Sequence, residues 1–199
     1  MLVLFDVDGT LTPSRGQIDP EFKSWLQTEF KHPFRLITGS DPAKTQEQIG
    51  LDFWSDCFVY NCAGNHIFDH GEEIFKSEWH LPADLEWILN GKLFASPWLL
   101  RTGKHIEHRV GLCNFSIVGR NATVDQRRMY YEFDKITLER EMLAKLINIV
   151  WGATVEATVA GETGIDIYKR GTGKDQILDD VLEYGPIHFF GDRQDRKST

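Results

Sequence analysis

Asp6 and Asp8 follow an apolar run, Leu2-Val3-Leu4-Phe5, with a single valine between them. Two further short apolar runs end in polar side chains, Thr38 with Ser40 after Phe34–Ile37 and Asn61 after Cys57–Tyr60. A fourth, Ile187–Phe190, ends in Gly191-Asp192. Where such runs are parallel strands of an open α/β sheet, their carboxyl ends share one edge, which is where ligands bind. A lone Asp after a strand is ordinarily a turn or cap residue. Three acids at one edge repel, and the usual remedy is a divalent cation with oxygen ligands such as Mg²⁺. A carboxylate beside such a cation can attack phosphorus and form an aspartyl-phosphate. A second group is basic. Arg109, Arg120 and Arg127 fall within 19 residues of an otherwise acidic chain. A single arginine is usually a solvated surface charge, but the planar guanidinium fork suits phosphate oxygens bidentately.

The elements that position these groups alternate at first. Strand Leu2–Phe5, helix Glu21–Phe30, strand Phe34–Ile37, helix Pro42–Ile49 and strand Cys57–Tyr60 succeed one another at short intervals. Continuous apolar strands separated by amphipathic helices predict a parallel sheet buried on both faces. The rhythm then changes. Ile67-Phe68 and Glu73–Phe75 flank a hairpin turn, and Pro82–Phe94 reads as a helix. Ile106–Arg109 and Leu112–Ile117 read as paired strands, Val124–Asp134 and Leu138–Val150 as helices, and Ala153–Val159 with Gly164–Ile167 as another strand pair. From Gly173 a helix to Leu182 and a final strand resume the parallel pattern. The expected fold is therefore α/β, a Rossmann-like core with a parallel sheet, carrying an inserted α+β cap domain.

Composition narrows the function. The 199 residues include 22 Lys plus Arg and 30 Asp plus Glu, for a net charge of −8. That balance argues against a duplex nucleic-acid binder, which needs a basic footprint. No apolar run approaches 18 residues, so no membrane span is expected. The three cysteines, Cys57, Cys62 and Cys113, have no metal-ligand spacing and read as reduced thiols of a cytoplasmic protein.

Asp6-Val7-Asp8-Gly9-Thr10-Leu11-Thr12 after an apolar strand resembles the first motif of the haloacid dehalogenase superfamily of phosphotransferases. Leu36–Ser40 resembles the second motif, Lys174 in Gly173-Lys174-Asp175 the third, and Phe190-Gly191-Asp192 the fourth. The insert narrows the likeness. His105-Ile106-Glu107-His108-Arg109, Asn114–Arg120 and Arg127 resemble the cap of the eukaryotic-type phosphomannomutase family, as do Glu47–Gly50 and His188–Asp192. Two positions differ from that family's pattern, Gly164 in place of a serine and Gly173 in place of an aspartate.

The resemblance implies a division into core residues 1–79, cap 80–168 and core 169–199. The family continues past Asp192 into a glycine-rich loop, a helix and a strand, and this sequence stops at Thr199, so the core is expected to lack that end. By the family's mechanism Asp6 is the nucleophile and Asp8 the general acid and base. Thr38 or Ser40 holds the phosphoryl group, and Lys174 neutralises both Asp6 and the phosphoryl oxygens. Asp6, Asp8 through its backbone carbonyl, and Asp192 hold Mg²⁺. Arg15, Arg109, Asn114, Arg120, Arg127 and Asp166 contact the substrate, the arginines as a clamp on the distal phosphate. Closure of cap on core excludes water. The implied reaction interconverts mannose 6-phosphate and mannose 1-phosphate, with a hexose 1,6-bisphosphate as activator and intermediate, in a homodimer formed through the cap. A sugar-phosphate phosphatase on the same scaffold and a homologue without activity remain alternatives that the core motifs do not separate.

Overall fold

The computed structural model describes residues 1–13 and 16–192. Arg15 lies outside the described residues, as does everything after Asp192. The chain divides into two compact units, Met1–Ser77 with the segment from Lys174 onward, and Glu78–Gly173.

The first unit opens with strand β1 (Leu2–Asp6), buried along its whole length. Helix α1 (Pro20–Thr28) starts where Asp19 accepts hydrogen bonds from the amides of Glu21 and Phe22, with proline in the first turn. Strand β2 (Phe34–Ile37) leads to helix α2 (Pro42–Ile49), capped by Asp41, which accepts from the Lys44 amide. Helix α3 (Leu51–Ser55) follows directly, buries Phe53 and Trp54, and has no counterpart in the sequence reading because five residues are too few to show a period. Strands β3 (Phe58–Asn61), β4 (His66–Asp69) and β5 (Glu72–Lys76) complete this stretch.

The second unit is contiguous in sequence. It contains α4 (Ala83–Ala95), β6 (Ile106–Arg109), β7 (Leu112–Ser116), α5 (Val124–Thr137), α6 (Glu139–Val150), β8 (Val155–Ala160) and β9 (Gly164–Lys169). The described strands pair antiparallel in the order β6-β7-β9-β8. Cys113, Phe115, Ile165 and Ile167 pack with Leu85, Leu89, Tyr130, Leu143 and Ile147 in one core. Asp134 and Arg140 form an ion pair inside it, side chains 9% and 5% exposed. Arg140 Nη1 also donates to the carbonyls of Gly161 and Gly164, so the β8–β9 turn is tied to the α5–α6 junction.

The return segment was expected to hold one helix from Gly173 to Leu182. It holds three short pieces instead: a 3₁₀ turn Lys174–Gln176, helix α7 (Ile177–Val181) and a 3₁₀ turn Leu182–Tyr184. In the tightened first turn Gln176 Nε2 reaches across to the Ala63 carbonyl at 2.7 Å. Strand β10 (Ile187–Phe190) follows. Among the described residues the first unit's sheet runs β10-β1-β2-β3-β4-β5, parallel from β10 to β3 and antiparallel beyond.

Alternation builds two layers on this sheet. Val3, Phe5, Leu36 and Val59 pack with Leu26, Ile49 and Phe53 on one side. Leu2, Leu4, Ile37 and Tyr60 pack with Ile177 and Val181 on the other. Full burial of each such side chain is worth about 1.5–3 kcal/mol. An apolar cleft of about 310 Å³ lined by Phe5, Leu11, Phe22, Trp25 and Phe190 lies against α1 and contains none of the acids.

Candidate functional site

The sheet register decides what meets what. Phe5 pairs with Phe190 and Asp6 with Ile37, while Ile37 pairs with Tyr60. The residues just beyond, Asp8, Thr38, Asn61 and Asp192, therefore leave the sheet at one edge, as the strand ends predicted. Gly9 has φ +86°, and a Cβ there would stand 2.7 Å from Asp192 Oδ2. Glycine is what admits Asp192 against the first loop.

Asp6 is 8% exposed, and Lys174 Nζ lies 2.8 Å from its Oδ1 across 168 residues of sequence. Burial raises the Asp6 pKa, Lys174 opposes that rise, and the charges of Asp192 and Asp8 add to it. Asp8 is held on both oxygens: Gln48 Nε2 donates to Oδ1 at 2.9 Å and Ser40 Oγ to Oδ2 at 3.1 Å. Thr38, buried, accepts from the Ser40 amide at 3.0 Å, which sets the loop that presents Ser40. Asn61 accepts from Thr45 at 2.8 Å and is fully buried.

This edge joins a desolvated carboxylate paired to an ammonium with a second carboxylate fixed by neutral donors. That arrangement can deliver one acid as a nucleophile and keep the other ready to exchange a proton. Among the described residues no three His, Cys, Asp or Glu side chains group closely enough to hold a metal by themselves.

In the second unit, the pairings Glu107↔Asn114 and Asn114↔Asp166 place three polar side chains in a row across β6, β7 and β9. Asn114 Nδ2 donates to Asp166 at 2.7 Å, and Arg120 Nη1 reaches Asn114 Oδ1 at 3.4 Å. Arg109 and Arg120 both contact Glu107. Burial lowers the Arg120 pKa, Glu107 raises it and Arg109 lowers it further. Gly164 makes room for the row, since a Cβ there would lie 2.6 Å from Asn114 Nδ2. The structure thus brings together Arg109, Asn114, Arg120 and Asp166. Arg127, in the first turn of α5, has a buried Nε without a hydrogen-bond partner, and no ion pair ties it to the row. Two residues were missed at the level of sequence. Gln48 and Glu107 carry no individual role in the sequence reading and stand there only inside segments that resemble the family. The Glu107–Arg109 spacing, two apart on one strand face, was the available signal for the second.

A search of solved structures finds this architecture elsewhere. The C-terminal domain of trehalose-6-phosphate phosphatase from C. albicans superposes with TM-score 0.64 at 20% identity, over 92% of this chain and 61% of that one. A haloacid dehalogenase-like hydrolase from Bacteroides thetaiotaomicron gives 0.55 at 14% identity, over 96% of this chain and 81% of that one. Fold and strand-end acids together define a haloacid dehalogenase-type α/β protein with an inserted cap. Sequence comparison goes further. The phosphomannomutase of Schizosaccharomyces pombe is 32% identical over 211 residues, covering 96% of this chain and 80% of that protein. The sequence family described as eukaryotic phosphomannomutase matches residues 23–198, and the chain belongs to that family.

Proposed function

We propose that the chain is a phosphomannomutase, moving a phosphoryl group between the 1- and 6-positions of mannose phosphate through a hexose 1,6-bisphosphate. The observation that carries this reading is the pairing of buried Asp6 with Lys174 beside an Asp8 whose two oxygens are already oriented. In the first half-reaction an Asp6 oxygen attacks phosphorus of the bisphosphate, the bond from phosphorus to the sugar oxygen breaks, and Asp8 gives that oxygen its proton. In the second, Asp8 removes a proton from a hydroxyl of the hexose monophosphate. That oxygen attacks the aspartyl-phosphate, which restores the Asp6 carboxylate and the bisphosphate. Lys174 offsets charge on Asp6 and on the phosphoryl oxygens throughout.

The donors at the edge suit Mg²⁺. All are oxygens, and a buried acid with two acidic neighbours gains from a hard cation. Asp6, Asp192 and the Asp8 carbonyl would hold it, and it would stabilise the negative charge of the transferring group. In the second unit, Arg109 and Arg120 bind the phosphate that is not reacting, joined by Arg127, whose partnerless Nε suits an anion. Asp166 with Asn114 binds sugar hydroxyls. No described helix is long and apolar enough to cross a membrane. All three cysteines are buried free thiols, which supports a cytoplasmic setting. Exposed Ile136, Met142, Ile149 and Val150 on the second unit support a homodimer through that unit.

The test follows both products from mannose 1-phosphate with Mg²⁺ and a hexose 1,6-bisphosphate, with Asp6→Asn as the control. Mannose 6-phosphate without free phosphate is the expected result. Free phosphate alone would replace the reading with a phosphatase, and no product would overturn it.

A further inference from the structure

Glu107 and Arg109 lie two residues apart on β6, so their side chains leave the same face of the sheet. Glu107 Oε1 accepts from Arg109 Nε at 2.8 Å and from Nη2 at 2.7 Å. The other carboxylate oxygen, Oε2, meets Nε of Arg120. One carboxylate therefore stands between two guanidinium groups, and all three side chains are at least 72% buried, with exposures of 24%, 11% and 28%. Two cations held this close and this dry repel, and without a counter-charge their long side chains would splay toward water. Glu107 holds both through their Nε sides. A guanidinium is a rigid fork, so fixing its Nε side fixes the direction of its far edge as well. The chain of contacts runs on from Arg120 to Asn114 and from Asn114 to Asp166. The phosphate-binding and hydroxyl-binding ends of the row are thereby joined in one hydrogen-bonded unit.

We propose that Glu107 is a positioning residue that sets the two arginines for an incoming phosphate, an inference that rests on the phosphate-binding reading of this cluster. It makes no contact with substrate itself. Its carboxylate leaves the pair with a net positive charge while removing the repulsion that would disperse it. The opposite role, a built-in anion that competes with the substrate's phosphate for the same donors, predicts the opposite sign when the charge is removed.

The experiment compares wild type, Glu107→Gln and Glu107→Asp, all in the full chain. Mannose 1-phosphate binding is measured by calorimetry and turnover with Mg²⁺ and bisphosphate, and thermal melting is recorded alongside. Glu107→Gln is expected to raise Kd and KM together by about tenfold, the effect of losing charge-assisted contacts, and to leave kcat within about twofold. Glu107→Asp, which keeps the charge at shorter reach, is expected to recover part of that affinity, a rescue that general loss of folding would not give. Tighter binding by Glu107→Gln would overturn the proposal in favour of a competing anion. Unchanged Kd and KM, or a kcat loss as large as the KM change, would overturn it as well. Wild-type protein that neither binds nor turns over mannose 1-phosphate would remove the phosphate-binding reading itself, and the proposal with it.

Discussion

The two polar clusters solve opposite electrostatic problems. In the first unit, acids arrive from the ends of separate strands and are met by one lysine 168 residues away from its partner. In the second, arginines arrive from one strand and the loop after its neighbour, and are met by an acid on that same strand. In the acidic cluster burial, with a smaller contribution from Asp192 and Asp8, raises the Asp6 pKa against the pull of Lys174, whereas in the basic cluster burial and Arg109 lower the Arg120 pKa against the pull of Glu107 and Asp166. On the proposed reading, the site for bond making holds one group in a costly state. A site built for holding spreads its charge through a network.

That contrast can be broken most sharply at Asp6. Asp6→Asn is expected to lower turnover by at least about a thousandfold, the scale of losing a covalent nucleophile. It should melt no lower than wild type, since burial and two neighbouring acids already disfavour the charged form. The sign of the pH effect agrees. A carboxyl whose folded pKa is raised contributes stability while protonated, and that contribution is lost as pH rises from its ordinary value of 3.8 through the higher folded value. Melting wild type and Asp6→Asn side by side across that window checks it, because the variant should lack this component.

The buried ion pair of the second unit should show the reverse behaviour, a large stability effect with no direct chemical role. Asp134→Ala leaves Arg140 uncompensated and is expected to cost about 3–5 kcal/mol, read by denaturant unfolding. Arg120→Ala removes charge-assisted contacts worth about 1.5–3 kcal/mol, so KM for mannose 1-phosphate should rise by roughly 10- to 150-fold with the fold retained. Gln48→Ala strips one donor from Asp8 while Ser40 keeps the other. Its kcat should fall by about tenfold with KM little moved, which steady-state kinetics would separate. The smallest change is expected from Gly164→Ser. The new Cβ pushes Asn114 away from Asp166 and should shift KM by about twofold to tenfold.

The strand run at Leu2–Phe5 is legible in the sequence because a central parallel strand is apolar on both faces; Phe34–Ile37 and Ile187–Phe190 are legible as mainly apolar runs of strand length, although Ile187–Phe190 stands at the edge of the sheet among the described residues and is largely exposed. The acids at their ends followed from the same pattern. The pairing of Lys174 with Asp6 depends on chain return across the whole insert, and only family resemblance suggested it. Gln48 was hidden for a different reason. A buried glutamine is legible only once its acceptor is known, and its partner Asp8 sits 40 residues upstream. The row Glu107-Asn114-Asp166 depends on register between strands up to 52 residues apart, which alternation within a single strand does not encode.

The pairing of Leu2 with Ile187 also sets an order of events at the ribosome. At about 5–20 residues per second, β1 waits roughly 10 s or more for β10 to emerge. The contiguous stretch Glu78–Gly173 has all its own strands and helices about 1–3 s before then at that rate. The strand that carries Asp6 thus spends its first seconds with one flank uncovered, a window in which chaperone binding or misdirected edge pairing would act on Leu2–Asp6 before any other strand.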